Sequence, residues 1–117
     1  MDKLRITGIQ ASGVIGIRPW ERLIRQPLRV DLEFNVDARI TAAADEITKA
    51  LDYGVVARRV VDVVARSEFR LIETLAEHIA ARLIDEFSVD NVKVIVHKPG
   101  AVPFANDTSI EIERSRA

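Results

Sequence analysis

Between Leu28 and Val36, in the stretch LRVDLEFNV, apolar and polar residues alternate without a fault. Leu28, Val30, Leu32, Phe34 and Val36 fall on one side, and Arg29, Asp31, Glu33 and Asn35 on the other. A period of two is what an extended chain imposes, so this segment is predicted to be a strand with one buried face and one wet face. Such a strand belongs in an antiparallel sheet covered on a single side, which argues against a helical bundle and against a parallel sheet sandwiched by helices.

The other segments supply the partners and the cover. Leu4 to Gln10 alternates more loosely and breaks at ASGVIG, where two glycines beside small residues predict a bulge or a tight bend. From Tyr53 the period lengthens: Tyr53, Val56, Val60, Val63 and Val64 recur at helical spacing, with Arg58, Arg59 and Asp62 turned away. A second helix is predicted from about Leu71 to Phe87, with Leu71, Ile72, Leu75, Ile79 and Leu83 inward. Strand periodicity returns at Val92 to Lys98, and again in TSIEIER, where Ile110 and Ile112 alternate with Glu111 and Glu113. The order strand, strand, helix, helix, strand, strand predicts an α+β domain: a four-stranded antiparallel sheet with both helices on one face. No proline blocks the interior of Leu28 to Ala38 or of Asn91 to Lys98, so edge-to-edge association of copies into a homo-oligomer is expected. No repeat, low-complexity tract or linker divides residues 1–117, which read as one domain.

Composition removes several functions. With 17 basic and 18 acidic side chains the formal charge is −1, so no nucleic-acid footprint or membrane-surface patch is indicated. The absence of cysteine excludes disulfides and thiolate chemistry, and two histidines, His78 and His97, are too few for a typical zinc site. No metal and no cofactor are expected, since GxGxxG and P-loop patterns are missing and no Ser/His/Asp set can be assembled. No apolar run approaches the roughly 20 residues of a membrane span, and a cytoplasmic protein is the expectation.

A few residues sit oddly for packing alone. In NVKVIVHKPGA, Lys98 continues the apolar row of Val92, Val94 and Val96; it either reaches solvent as the strand ends or is a dry amine that holds and releases a proton. Glu73, in the first turn of the second helix, lies at the margin of the apolar arc, where a semi-buried carboxylate could accept two parallel N–H donors from a planar ligand edge. Tyr53 is either a core residue with its hydroxyl at the edge or a phenol positioned to relay a proton. In GIRPWERLIRQP, Glu21 is expected in solvent and Trp20 packed.

Taken together, GIRPWE after a first strand, ALDYG opening a helix, LIETLAE opening the second and KPGA ending the third strand resemble the bacterial dihydroneopterin aldolases in order and spacing, over nearly the whole chain. The resemblance implies the tunnelling fold, in which four-stranded sheets from several subunits join into a barrel, as tetramers or octamers with active sites between subunits. It implies cleavage of 7,8-dihydroneopterin to hydroxymethyl-dihydropterin and glycolaldehyde in folate biosynthesis, often with epimerisation of the side chain. It implies roles too: Glu73 gripping the pterin edge with the backbone of Leu71 and Ile72; Lys98 transferring protons; Glu21 at the substrate side chain or a water relay; and Ile17 lining the pocket. Tyr53 would come from the adjacent subunit, with the backbone of Leu51 and Asp52. Arg18 and Pro19 in the loop and His97 before the lysine depart from the family pattern. Two rival readings follow: an epimerase of the same fold, for which Arg18, Arg22 and Arg25 would receive a triphosphate, and a pterin-binding module without catalysis.

Overall fold

The computed structural model describes residues 1–117 as a single four-stranded antiparallel sheet, built from β1 (Asp2–Gly13), β2 (Gln26–Val36), β3 (Asn91–His97) and β4 (Ser109–Ser115) in the order β1-β2-β3-β4. Three α-helices accompany it: α1 (Ala38–Ala44), α2 (Tyr53–Arg66) and α3 (Ile72–Glu86). The alternation that marked β2 is realised as expected, with Leu28, Val30, Leu32 and Phe34 buried beside Val92, Val94 and Val96 of β3. Helix α2 lays Val56, Val60, Val63 and Val64 over β1, and α3 lays Leu75, Ala76, Ile79, Ala80 and Leu83 over β3 and β4. Burying two apolar helix stripes against one apolar sheet face is the main stabilising term of a domain this size.

Three expectations need correction. The bulge of β1 lies between Ile6 and Ile9, and ASGVIG is instead where the strand ends, at Gly13. At the bulge Gly8 adopts φ 73° and its N–H donates to Asp31 Oδ1 at 2.7 Å, so the extra residue is held by the neighbouring strand. The strand then continues to Gly13, where a Cβ would lie 2.3 Å from the Val64 carbonyl oxygen; that glycine serves the close approach of α2. Second, α1 follows β2 directly. Asp37 caps it by accepting from the Arg39 N–H at 3.1 Å, and Asp45 ends it at φ 50°. None of its residues is buried, so no apolar period betrays it. Third, Leu71 caps α3 and is half-exposed rather than inward.

The end of the chain is fastened by Arg116. Its guanidinium donates to the carbonyls of Ile84, Phe87 and Val89, where α3 terminates, while its N–H bonds Asp90 O at 2.7 Å. A cation on the orphan carbonyls of a helix C-terminus is favourable by dipole and hydrogen bond together. Arg116→Ala is expected to cost about 1 kcal/mol and to lower the melting temperature by about 5 °C, read by thermal denaturation; an unchanged midpoint would show the clamp to be idle.

Candidate active site

Lys98 is neither in solvent nor solitary. Its Nζ lies 2.8 Å from Glu21 Oε2, and both side chains are largely shielded, 14% and 9% exposed. Glu21 was expected in solvent and Trp20 packed; the structure reverses them, leaving Glu21 7% and Trp20 56% exposed. The cause is the 3-10 turn Pro19–Leu23, which starts at the fixed φ of Pro19 and rolls the third residue inward. Glu21 caps this turn with its own side chain, its Oε1 accepting from the Arg18 N–H at 3.2 Å. Gln26, at the start of β2, donates to Glu21 Oε2 at 3.2 Å and to Ile15 O at 2.7 Å. Gly16, at φ 129°, forms the wall: a Cβ there would fall 2.2 Å from the Glu21 carboxyl carbon. Nothing in the sequence marks Gln26 for this place. Gly16 carries a signal only because two glycines flank Val14 and Ile15 in so short a stretch.

These donors set the charge of Glu21. The hydrogen bond from Lys98 outweighs the burial that opposes ionisation, and with the Arg18 N–H and Gln26 it brings the carboxyl down to about 2 from an ordinary 4.5. The carboxylate thus stabilises the fold fully above pH 4.5, and that contribution disappears as pH falls through about 2. Denaturant titrations at pH 6 and pH 3 are expected to show the stability gap between the native protein and Glu21→Gln shrinking toward acid; a gap independent of pH would contradict the assignment.

Arg22 ties the turn to the segment before α3, donating to Gly16 O at 2.9 Å, Phe69 O at 3.1 Å and Glu68 O. Ile17, Leu71, Ile72 and Glu73 therefore share one end of the sheet with Glu21 and Lys98. Glu73 is exposed, not semi-buried as its helical phase suggested, and Leu71 offers no side-chain acceptor to the first-turn N–H groups of α3. An open first turn with a free carboxylate can give N–H donors to a ligand oxygen and accept from ligand N–H groups.

Tyr53, Asp52 and Leu51 lie at the other end. Arg25 donates to Ala65 O at 3.1 Å, which puts the last turn of α2 beside the Glu21 loop. Tyr53 opens the first turn of that 14-residue helix, roughly 20 Å away. Asp52 caps α2 by accepting from the Val55 N–H at 3.3 Å, and Tyr53 is 60% exposed rather than packed in the core. It lines an apolar hollow of about 420 Å³ with Leu4, Val36, Ile47 and Leu51. Within one chain the two groups of residues cannot meet on one small molecule.

His97 lies on the wet face between two carboxylates, Nε2 2.8 Å from Asp31 Oδ2 and Nδ1 2.6 Å from Asp107 Oδ2, with Arg29 3.4 Å from Asp107. Burial opposes ionisation of Asp31, but the Gly8 N–H and the His97 ring hold its carboxyl below the usual range. The two aspartates approach opposite ring nitrogens and do not converge on a point as metal ligands would. With Lys98 N–H donating to Thr108 O at 2.8 Å, they pin both ends of the loop from Pro99 to Asp107 beside Lys98.

No helix is long and apolar enough to cross a membrane. The FolB dihydroneopterin aldolase family model matches residues 4–113. The chain is 42% identical to the dihydroneopterin aldolase of Streptomyces coelicolor, over 99% of each chain. Its structure superposes on the crystal structure of Escherichia coli dihydroneopterin aldolase in complex with neopterin with a TM-score of 0.94 and 35% identity, covering 98% of this chain and 100% of the other. A Burkholderia dihydroneopterin aldolase bound to guanine matches with a TM-score of 0.80 at 26% identity, covering 99% and 92%.

Proposed function

The chain belongs to the dihydroneopterin aldolase family, and from that premise we propose that Lys98, Glu21, Ile17 and the first turn of α3 form one half of a catalytic site that Leu51, Asp52 and Tyr53 of a neighbouring copy complete. The activity is that of a carbon-carbon lyase of folate biosynthesis. The observation that carries the site is the shielded 2.8 Å contact between Lys98 and Glu21, at the same end of the sheet as the open first turn of α3.

The chemistry needs little more. A side-chain hydroxyl of the substrate loses its proton, the adjacent carbon-carbon bond breaks, its electrons enter the ring imine of the dihydropterin, and the carbon left on the ring takes up a proton. No metal or cofactor is required, because the substrate is its own electron acceptor and the protein holds the ring and moves protons. Lys98 delivers and removes the protons. Glu21, ionised down to about pH 2 and already accepting from three donors, orients the lysine instead of giving up a proton. Glu73 receives two parallel N–H groups from the pterin edge, and the N–H groups of Leu71 and Ile72 take ring acceptors. Glu73→Gln replaces one acceptor oxygen with a donor and is expected to weaken neopterin binding about 100-fold, measured by calorimetry; unchanged affinity would remove Glu73 from the site.

The triphosphate-directed epimerase reading loses its footing. Arg22 is spent on backbone carbonyls, Arg25 donates to Ser12 O and Ala65 O, and Arg18 alone keeps a free guanidinium. The protein is proposed to act on the unphosphorylated substrate in the cytoplasm, as a single-domain homo-oligomer. The test is incubation of chelator-treated protein with dihydroneopterin without oxygen, followed by chromatography of the pterins. Hydroxymethyl-dihydropterin with equimolar glycolaldehyde is expected; an epimer alone would make the protein an epimerase, and binding without turnover would make it a pterin-binding module.

A further inference from the structure

Two groups with opposite demands meet at one nitrogen of His97. Asp107 Oδ2 lies 2.6 Å from Nδ1 and accepts, so it requires an N–H there; Arg29 Nη2 lies 3.2 Å from the same Nδ1 and only donates, so it requires a lone pair. The other ring nitrogen has no such conflict. Nε2 faces Asp31 Oδ2 at 2.8 Å, and Asp31 is itself fixed by the Gly8 N–H on Oδ1 at 2.7 Å. Only the protonated ring therefore serves both carboxylates. When the ring is neutral, Nε2 keeps its proton on the well-held Asp31, Nδ1 turns acceptor toward Arg29, and Asp107 loses its bond to the ring. The neighbouring positions bring no competing charge onto Nδ1. On that face β1 presents Gln10 beside Arg29, β4 presents Ser109 opposite His97 and then Glu111 opposite Ile95, and β3 itself continues with Ile95 and then Lys93, which is paired to Glu33.

What hangs on Asp107 is the loop after Lys98. Every residue from Pro99 to Asp107 is exposed, the one hydrogen bond inside the loop runs from the Ala105 N–H to Val102 O at 3.3 Å, and Asp107 is its only side chain bonded to the sheet. The next residue, Thr108, gives its carbonyl to the Lys98 N–H at 2.8 Å. Lys98 leaves β3 there, confined to extended backbone by Pro99, and its side chain runs on the opposite face of the sheet to Glu21. The direction of the amine is thus set by backbone that Asp107 holds in place. We propose that His97 is a positioning residue for Lys98: a latch whose Nδ1–H holds Asp107 and the loop in the productive arrangement, and whose neutral ring hands that nitrogen to Arg29 and releases them. The inference rests on the catalytic reading of Lys98 above and deepens it, coupling that site to the charge of a side chain on the other face of the sheet.

The test compares single-turnover cleavage of dihydroneopterin by the unaltered protein, Asp107→Ala and Asp107→Asn across about pH 5 to 8, the range in which a histidine changes charge. At the acid end Asp107→Ala is expected to be about tenfold slower with neopterin affinity unchanged, since the loop aims the amine and α3 grips the ring. Asp107→Asn is expected to rescue that loss, because its amide accepts from Nδ1–H or donates to a bare Nδ1 and stays latched in both states. The unaltered protein should therefore lose about fivefold in rate relative to Asp107→Asn as pH rises. Asp107→Ala as fast as the unaltered protein, or parallel pH profiles for the unaltered protein and Asp107→Asn, overturns the latch. A second reading needs neither variant nor turnover. Nitrogen-15 shifts of the His97 ring are expected to show the proton leaving Nδ1 as pH rises, with Lys98 amide exchange accelerating in step beyond ordinary base catalysis; loss from Nε2, or a Lys98 amide indifferent to the step, overturns the latch equally. Absence of cleavage by the unaltered protein at every pH would overturn the catalytic reading, and the positioning role with it, even where the ring shifts and the amide exchange show the latch itself.

Discussion

Lys98→Ala is expected to lower kcat by about 10³-fold while leaving the affinity for neopterin nearly unchanged, because the amine moves protons and the ring is held elsewhere. The substitution also strands a shielded carboxylate. Glu21 keeps its bonds from Arg18 and Gln26 but loses its charged partner, so a stability loss on the order of 2 kcal/mol accompanies the loss of turnover. Lys98→Gln separates the two effects. An amide still donates to Glu21 Oε2 but carries no transferable proton, so stability is expected to recover while turnover does not. The measurements are steady-state kinetics, ligand titration and chemical denaturation of all three proteins. Recovery of turnover in Lys98→Gln would reduce the lysine to a structural donor.

Gly16→Ala is expected to damage both fold and activity more than its size suggests. Gly16 adopts φ 129°, a conformation that L side chains rarely take, and its missing Cβ is the space that the Glu21 carboxylate fills. The new methyl would sit 2.4 Å from both carboxylate oxygens, so Glu21 must move, and its bonds to Lys98, Gln26 and the Arg18 N–H go with it. A loss of about 3 kcal/mol in stability and about 100-fold in kcat is expected. Gly8→Ala is the control. It introduces a positive-φ alanine, but nothing lies within 4 Å of its Cβ, so about 1 kcal/mol of strain and unchanged turnover are expected. Equal kinetic damage from both would mean that backbone strain, not the collision with Glu21, is responsible.

The fold was legible where periodicity is strong. The faultless alternation of Leu28 to Val36 and the helical spacing from Tyr53 and from Leu71 give β2, α2 and α3 within a residue or two, because each buries a whole face. Helix α1 escaped because it buries nothing and is held by its caps alone. The bulge was misplaced since glycine serves several ends that sequence does not separate: Gly8 turns the chain, while Gly13 and Gly16 admit a helix carbonyl and a carboxylate. At the site, the phase of Lys98 on the valine row was legible and its partner was not. Glu21 reads as a loop glutamate, and only the rolled turn after Pro19 brings it 77 residues along the sequence to Lys98. Tyr53 and Glu73 misled in the opposite sense: their helical phases point toward the core, yet both are exposed at element ends, where a neighbouring copy and a ligand would cover them.

The measurement that bears most directly on the shared site mixes two inactive proteins. Tyr53→Phe and Lys98→Ala are combined, subunit exchange is verified by mass, and turnover of dihydroneopterin is compared with each protein alone. If Tyr53 of one copy works beside Lys98 of the next, random assembly leaves about one quarter of the sites with both residues intact, and activity should return to about that fraction of the unaltered protein. Exchanged assemblies no more active than the separate variants would contradict the shared site.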